Sequence, residues 1–171
     1  MREQSVILKT PRLSFVMWDE GDAPLVQQLH STIATTRYLS GSAPWSLEKA
    51  EERLRGWFAE QARDGTTKYK ILAENGGFLG RAGISKFRNE QFELGYSLRE
   101  EAWGKGYATE AASALTEWFF KRGFAPDLIA FTHPENTASQ RVLEKIGMRE
   151  RAPILVDEVL CTAFDIAADT R

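Results

Sequence analysis

Residues 93–112 read Glu-Leu-Gly-Tyr-Ser-Leu-Arg-Glu-Glu-Ala-Trp-Gly-Lys-Gly-Tyr-Ala-Thr-Glu-Ala-Ala. The stretch begins as a strand: Phe92, Leu94, Tyr96 and Leu98 alternate with Gln91, Glu93, Gly95 and Ser97, which puts the apolar set on one face. A charged turn, Arg99-Glu100-Glu101, leads into a glycine-spaced loop, Trp103-Gly104-Lys105-Gly106-Tyr107-Ala108-Thr109. Ala108, Ala111, Ala112, Leu115, Trp118 and Phe119 then recur at helical spacing. A strand, a glycine-rich turn and a helix N-terminus together bind phosphate. The first helical amides have no intrahelical acceptor, the macrodipole favours negative charge, and small residues admit a ligand to the backbone. Lys105 adds a cation beside them, so the turn is expected to hold an anion.

The kind of anion is narrowed by what is missing. A dinucleotide fold calls for G-x-G-x-x-G with an acidic residue about 20 positions on, to hold a ribose. Here Thr109 occupies the third glycine position, and residues 128–132 offer no carboxylate. A Walker loop, G-x-x-x-x-G-K-[ST], is absent.

The same residues resemble the GNAT superfamily of N-acetyltransferases, whose Q/R-x-x-G-x-G/A loop holds the pyrophosphate of acetyl-coenzyme A. Trp103 to Ala108 lies on that loop, with Gly106 and Ala108 at its two small positions. Trp103 replaces the usual Gln or Arg, as in the RimJ/RimL-type branch, whose loop reads W-G-x-G-Y-A-T-E-A. A second block, Asn136 to Met148, resembles that branch's N-x-x-S-x-x-v-l-e-K-x-G-f/m, and Thr10-Pro11-Arg12-Leu13 resembles its T-x-R-L start. The resemblance implies acetyl-CoA as co-substrate, with its pantetheine arm in a sheet splayed between the fourth and fifth strands.

Composition fits a single domain over residues 1–171. A chain of this length buries roughly 70% of its unfolded surface. Hydrophobic residues at 43% and charged residues at 27% are near the globular average. Net charge is −2, from 22 basic and 24 acidic residues, and no basic block points to nucleic acid. That mild negative charge fits cationic acceptors. The single Cys161 excludes an internal disulfide, and two distant histidines argue against a metal site. No signal-type core or long apolar run occurs, so a cytoplasmic protein without a membrane partner is expected.

Along the chain, residues 6–18 read as a strand entered or interrupted at Pro11. A short helix follows over 22–30, with Asp22 as N-cap and Leu25, Val26 and Leu29 inward. A second short helix covers 32–38, and Tyr38 to Trp45 is loop. Ser46 caps a helix to Arg63, with Leu47, Ala50, Leu54, Trp57 and Phe58 inward. Strands 67–73 and 78–87 flank the hairpin turn Glu74-Asn75-Gly76-Gly77. After the 91–98 strand and the 107–122 helix come a strand at 127–132, a helix at 136–146 and strands at 148–156 and 158–166. The order gives an α/β (α+β) domain, a mixed, mostly antiparallel sheet of seven strands with helices on both faces.

Candidate site residues follow, each beside a plainer alternative. Gly104, Lys105, Gly106, Tyr107, Ala108 and Thr109 with Trp103 form the cofactor turn, or simply a tight strand-to-helix connection. Backbone groups of Tyr96, Ser97 and Leu98 would meet the thioester and supply oxyanion donors. Asn136 caps a helix and, by the resemblance, contacts the pantetheine arm. The resemblance places Ser139 near the thioester sulfur. Glu93 is either a solvated surface residue or the general base. Tyr38 and Trp45 border the acceptor pocket or belong to the core. His133, before Pro134, reads as structural. Leu143 stands where many GNAT enzymes carry a tyrosine acid, so Ser139 or a water must protonate the thiolate, or the thiolate leaves unprotonated. The resulting expectation is direct acetyl transfer to a primary amine, protein N-terminal or small-molecule. A non-catalytic acyl-CoA sensor and a dinucleotide-binding protein are the alternatives, and a homodimer stays open.

Overall fold

The computed structural model describes residues 4–39 and 41–170, so Ser40 of the 38–45 loop lies outside the described residues. Its strands are β1 (Val6–Lys9), β2 (Leu13–Val16), β3 (Lys68–Ala73), β4 (Phe78–Lys86), β5 (Phe92–Leu98), β6 (Asp127–Thr132), β7 (Arg149–Val156) and β8 (Val159–Ala167). They form one sheet in the order β1-β2-β3-β4-β5-β6-β8-β7, antiparallel throughout except for the β5–β6 pair. The mixed, mostly antiparallel α/β sheet is as expected, with eight strands instead of seven. The extra strand comes from Pro11, which has no N–H to give a ladder. There the 6–18 segment turns back on itself: Thr10 N–H donates to the Leu13 carbonyl at 2.9 Å, and Leu8 faces Phe15 across the new hairpin.

Helices α1 (Ala23–Leu29), α2 (Ile33–Thr36), α3 (Leu47–Asp64), α4 (Tyr107–Arg122) and α5 (Thr137–Lys145) complete the fold. Strand alternation sends Tyr69, Ile71, Ala82, Ile84, Leu94 and Leu98 to the face covered by α4 and α5, where Leu115, Phe119 and Leu143 join them. The opposite face carries a smaller cluster, Trp18, Val26, Leu54 and Trp57, beneath α1 and α3. Ser46 caps α3 as expected, its Oγ accepting from Lys49 N–H at 3.1 Å. Leu47 does not turn inward: it is 42% exposed, because the first turn of α3 overhangs the core.

The second face is also charged. Lys68, Lys70 and Arg81 alternate with its core-facing neighbours and are buried there at 6%, 3% and 7% exposure. This bears on Asp22, which stands at the N-cap of α1 as expected but does not cap with its side chain. Instead Oδ2 accepts from Lys70 Nζ at 2.6 Å and from Asp19 N–H at 2.8 Å. A buried ammonium is a stronger claimant than a helix end, since leaving one unpaired costs about 3–5 kcal/mol against about 1 for a lost cap. Asn caps as well as Asp. Asp22→Asn should therefore lower the unfolding free energy by about 3 kcal/mol in urea; a loss under half of that would restore capping as the role of Asp22.

Candidate active site

The sheet parts between β5 and β6. β4 pairs with β5 along its whole length, from Lys86 opposite Phe92 to Gly80 opposite Leu98, but β5 and β6 share only the register pair Glu93–Ile129. Toward its C-terminal end β5 therefore presents one backbone edge to an opening. Arg99 N–H bonds the Leu79 carbonyl of β4 at 2.8 Å. Strand alternation then turns Ser97 N–H toward β4 as well, and points the amides of Tyr96 and Leu98 into the opening. Of the expected trio, Tyr96 and Leu98 offer donors, whereas the Ser97 amide belongs to the ladder. The Leu98 carbonyl accepts the indole N–H of Trp103 at 3.0 Å, which fixes the half-exposed Trp103 at the mouth.

The turn at the head of α4 is built from two left-handed residues, Gly104 with φ 73° and Gly106 with φ 80°, a backbone that L side chains rarely adopt. Among the described residues, no protein acceptor pairs with any amide from Gly104 to Thr109, and no side chain caps α4. Successive free amides at left-handed positions form an anion-binding concavity. Its outer wall comes from the N-terminal hairpin. Arg12 donates through Nη1 to the Lys105 carbonyl at 2.9 Å, pairs through Nε with Glu110 Oε2 at 2.7 Å, and stands 4.4 Å from the Tyr107 ring centre. Glu110 Oε1 also accepts from Thr10 Oγ1 at 2.6 Å and Arg12 N–H at 3.0 Å. Burial pushes the Glu110 carboxyl upward, but these hydrogen bonds outweigh it and hold it below the ordinary range. A Cβ at Gly106 would meet Arg12 Nη2 at 3.4 Å, so brace and glycine fit each other closely.

Across the opening, α5 starts on Asn136, whose Oδ1 accepts from Ser139 N–H at 3.3 Å. The Tyr96 hydroxyl lies 2.9 Å from Ser139 Oγ and donates to the Ser139 carbonyl at 3.2 Å. Burial pushes the Tyr96 phenol up to about 12, with the Ser139 bond opposing, so it stays protonated at neutral pH. Leu143 is 1% exposed and belongs to the core.

Residues 12–149 match the acetyltransferase (GNAT) domain family. The chain belongs to that family. It is 35% identical over 101 residues to the uncharacterized N-acetyltransferase YnaD of Bacillus subtilis (strain 168), a match covering 58% of this chain and 59% of that relative. An acetyltransferase structure from Agrobacterium tumefaciens str. C58 superimposes with a TM-score of 0.81 at 25% identity, covering 97% of this chain and 95% of the other. RimL, a ribosomal L7/L12 α-N-protein acetyltransferase solved with coenzyme A, has the same fold, with a TM-score of 0.83 at 18% identity over 98% and 100% of the two chains.

In this GNAT domain the sheet face away from α4 completes the site's surroundings. Glu93 is no solvated surface residue: its Oε2 pairs with buried Lys68 at 2.9 Å. Its Oε1 lies back over Gly95, 2.8 Å from where a Cβ would stand, and so toward the open end of β5. Burial pushes the Lys68 ammonium below the ordinary lysine range, and Glu93 opposes the shift. Tyr38 stacks on His133 at 5.1 Å, and His133 Nδ1 accepts from Glu135 N–H, so the structural reading of His133 holds. Of the two readings of Trp45 the structure favours the core: it is only 8% exposed, and its ring lies tilted over His30 at 4.0 Å within the second core cluster.

Three groupings went unread in the sequence: the Tyr96 hydroxyl on Ser139, the Arg12–Glu110 brace, and the Lys68, Arg81 and His30 cluster. Tyr96 and Ser139 are 43 positions apart, Arg12 and Glu110 98, Arg81 and His30 51, and Lys68 and its partner Glu93 25, and no local spacing signals them. His30 accepts from Arg81 Nε at 3.1 Å. Burial, then Arg81, Arg53 and Lys49, lower its pKa to about 2. The unfolded chain takes up that proton near pH 6.5 and the folded one does not, so stability falls as pH drops below 6.5. Between pH 7 and pH 5 the loss is about 2 kcal/mol. His30→Gln should flatten that part of the stability–pH curve, measured by denaturant unfolding; an unchanged slope would place the proton uptake elsewhere.

Proposed function

We propose that the chain is an acetyl-CoA-dependent N-acetyltransferase that moves an acetyl group to a primary amine by direct attack. The observation that carries this reading is the run of unpaired amides from Gly104 to Thr109, braced by Arg12 beside the β5–β6 opening. Those amides, with Lys105 and the α4 macrodipole, suit a pyrophosphate. The opening suits an extended arm that pairs with exposed strand backbone, and the Asn136 side-chain amide faces no protein acceptor among the described residues. Coenzyme A and acetyl-CoA accompany structural neighbours of this fold.

The chemistry assigned to the residues is as follows. The amine nitrogen attacks the thioester carbonyl, a C–N bond forms and the C–S bond breaks. Tyr96 and Leu98 amides stabilise the oxygen that becomes negative. Glu93 Oε1, directed along β5, takes the amine's proton through water, while Lys68 holds Oε2. An α-amine with pKa about 8 is partly neutral at pH 7, unlike a lysine at about 10.4, so a carboxylate base suits an N-terminal or small low-pKa amine. With a pKa of about 12, Tyr96 does not protonate a thiolate of pKa about 8.5, a transfer uphill by about 5 kcal/mol. For the departing sulfur, the Tyr96 hydroxyl turns from the Ser139 carbonyl to donate to Ser139 Oγ, which leaves the Ser139 hydroxyl hydrogen for the thiolate. Such a donor bears on the sensor alternative, which rests on Leu143 at the usual tyrosine position. Acceptors such as a ribosomal-protein N-terminus or a small-molecule amine both fit the family, and a cytoplasmic location goes with this reading.

Thermal unfolding with acetyl-CoA, CoA and NAD tests the cofactor. Saturation at 100 times Kd adds about 2.7 kcal/mol, a rise of roughly 5–10 °C for this chain with both CoA species and none with NAD. No rise with either CoA species ends the reading, whereas a rise without thiol release in an amine screen makes the protein a binder. Glu93→Gln keeps a partner for Lys68, so the CoA-induced rise should persist while kcat at pH 7 drops by about 10²-fold. An unchanged pH–rate profile would reduce Glu93 to a counter-ion.

A further inference from the structure

Behind the opening, on the sheet face beneath α3, one cation makes no direct ion pair among the described residues, although Glu93 and Glu60 attract it from farther off. Arg81 is 7% exposed. Its Nε is spent on the neutral imidazole of His30, and its guanidinium carbon stands 5.6 Å from the Trp57 ring centre. Among the described residues, no carboxylate oxygen lies within 4.0 Å of its guanidinium. The carboxylates of this face are committed elsewhere: Glu93 to Lys68 at 2.9 Å, Asp22 to Lys70 at 2.6 Å, and Glu60 to the hydroxyls of Thr67 at 2.6 Å and Ser85 at 3.0 Å. Further cations gather instead. Arg53 stands 6.0 Å from the Trp57 ring and Lys49 5.4 Å from the Trp45 ring, and both act with Arg81 on His30.

A guanidinium taken out of water without an anion is held at a cost of several kcal/mol, and one cation–π contact of about 0.5–2 kcal/mol does not offset it. Burial, with Arg53 second, lowers the Arg81 pKa to about 10 against the weaker pull of Glu93 and Glu60, which still leaves it charged at pH 7. The fork of its two Nη groups matches a planar or tetrahedral oxyanion in two parallel hydrogen bonds. Its position matters as much. Arg81 lies directly across from Ser97, next to the Tyr96 amide that faces the opening, so it stands one strand from the proposed thioester, about 4.8 Å in backbone spacing. A small molecule can span that gap with an amine at one end and an anion at the other.

We propose that the acceptor amine carries an oxyanion, a carboxylate or a phosphate, which the Arg81 guanidinium grips while the amine nitrogen reaches the β5–β6 opening. This rests on the N-acetyltransferase reading. The local charge is opposite to the chain's net charge of −2, which by itself fits cationic acceptors.

The experiment compares acetyl transfer to matched amines: free α-amino acids against their α-carboxamides, and phosphoethanolamine against ethanolamine. The anionic member of at least one series should be preferred by about 10²-fold in kcat/KM, and the series showing it names the anion. Arg81→Gln should bring that ratio close to unity, and Arg81→Lys should keep part of it, with the acetyl-CoA-induced thermal rise intact in both. Equal rates within both series, or a ratio that survives Arg81→Gln, overturn the proposal. Should Arg81→Gln not fold, the wild-type ratios alone decide. Should no amine react, CoA-saturated protein is titrated calorimetrically with N-acetylated amino acids, N-acetylphosphoethanolamine and their uncharged counterparts. Tighter binding of an anionic member keeps the anion site while the transferase reading falls, and no difference ends the proposal.

Discussion

A β-strand inside a sheet is expected to have a neighbour on each side, because buried backbone donors and acceptors left without partners cost free energy. β5 and β6 breach this rule in the middle of an eight-stranded sheet, joined by one register pair before they separate. Everything chemically notable in the domain gathers where they part. Amides of Tyr96 and Leu98 face the gap, α4 begins with a turn of free amides above it, and α5 closes its far side through Ser139 and Tyr96. The gap persists because each strand is secured on its other edge, β5 by seven register pairs to β4 and β6 by six to β8. Rigid halves with an unsatisfied seam hold a ligand without having to organise themselves around it.

The two faces of the sheet divide the labour. One is covered by α4 and α5 over a wholly apolar core, which fixes the amide turn against Leu115 and Phe119. The other buries cations among aromatic rings, with a histidine kept neutral by their company. The seam between β5 and β6 thus has different electrostatic surroundings on its two faces.

What the sequence disclosed was local. The alternation of Phe92 to Leu98, the paired glycines and the helical recurrence after Ala108 each involve neighbours within a few positions, and all three appear as read. The Asn136 and Ser46 caps were legible for the same reason. Asp22 holds the N-cap position as read, but its side chain turns to Lys70, 48 positions away, instead of capping. Pro11 was seen as an interruption, but whether a proline ends a strand or folds it back depends on whether Phe15 finds Leu8. Proximity to a Gly/Pro loop left the depth of Trp45 open, and Leu47 was read as inward although a helix's first turn can project past the core its later turns cover. Arg81 in a strand of small and apolar residues gave no sign of its isolation, since that depends on where Glu93 and Glu60 find their partners.

The Arg12–Glu110 brace has a consequence for how the domain assembles. β1–β2 and β3–β4–β5 are sequential hairpins that close over short loops and so at small entropic cost, whereas β2 reaches β3 only after α1, α2 and α3. The brace instead joins residues 98 positions apart and depends on an edge hairpin held from one side only. Contacts of long sequence separation are slow to form, and sheet edges are the first to open in native fluctuations. The amide turn therefore reaches its final shape among the last events of folding and is among the first regions to loosen. Fraying of the N-terminal hairpin would free the Lys105 carbonyl and at the same time uncover Leu13 and Phe15 of the main core, so the shape of the anion turn and the integrity of the globule are coupled in this chain.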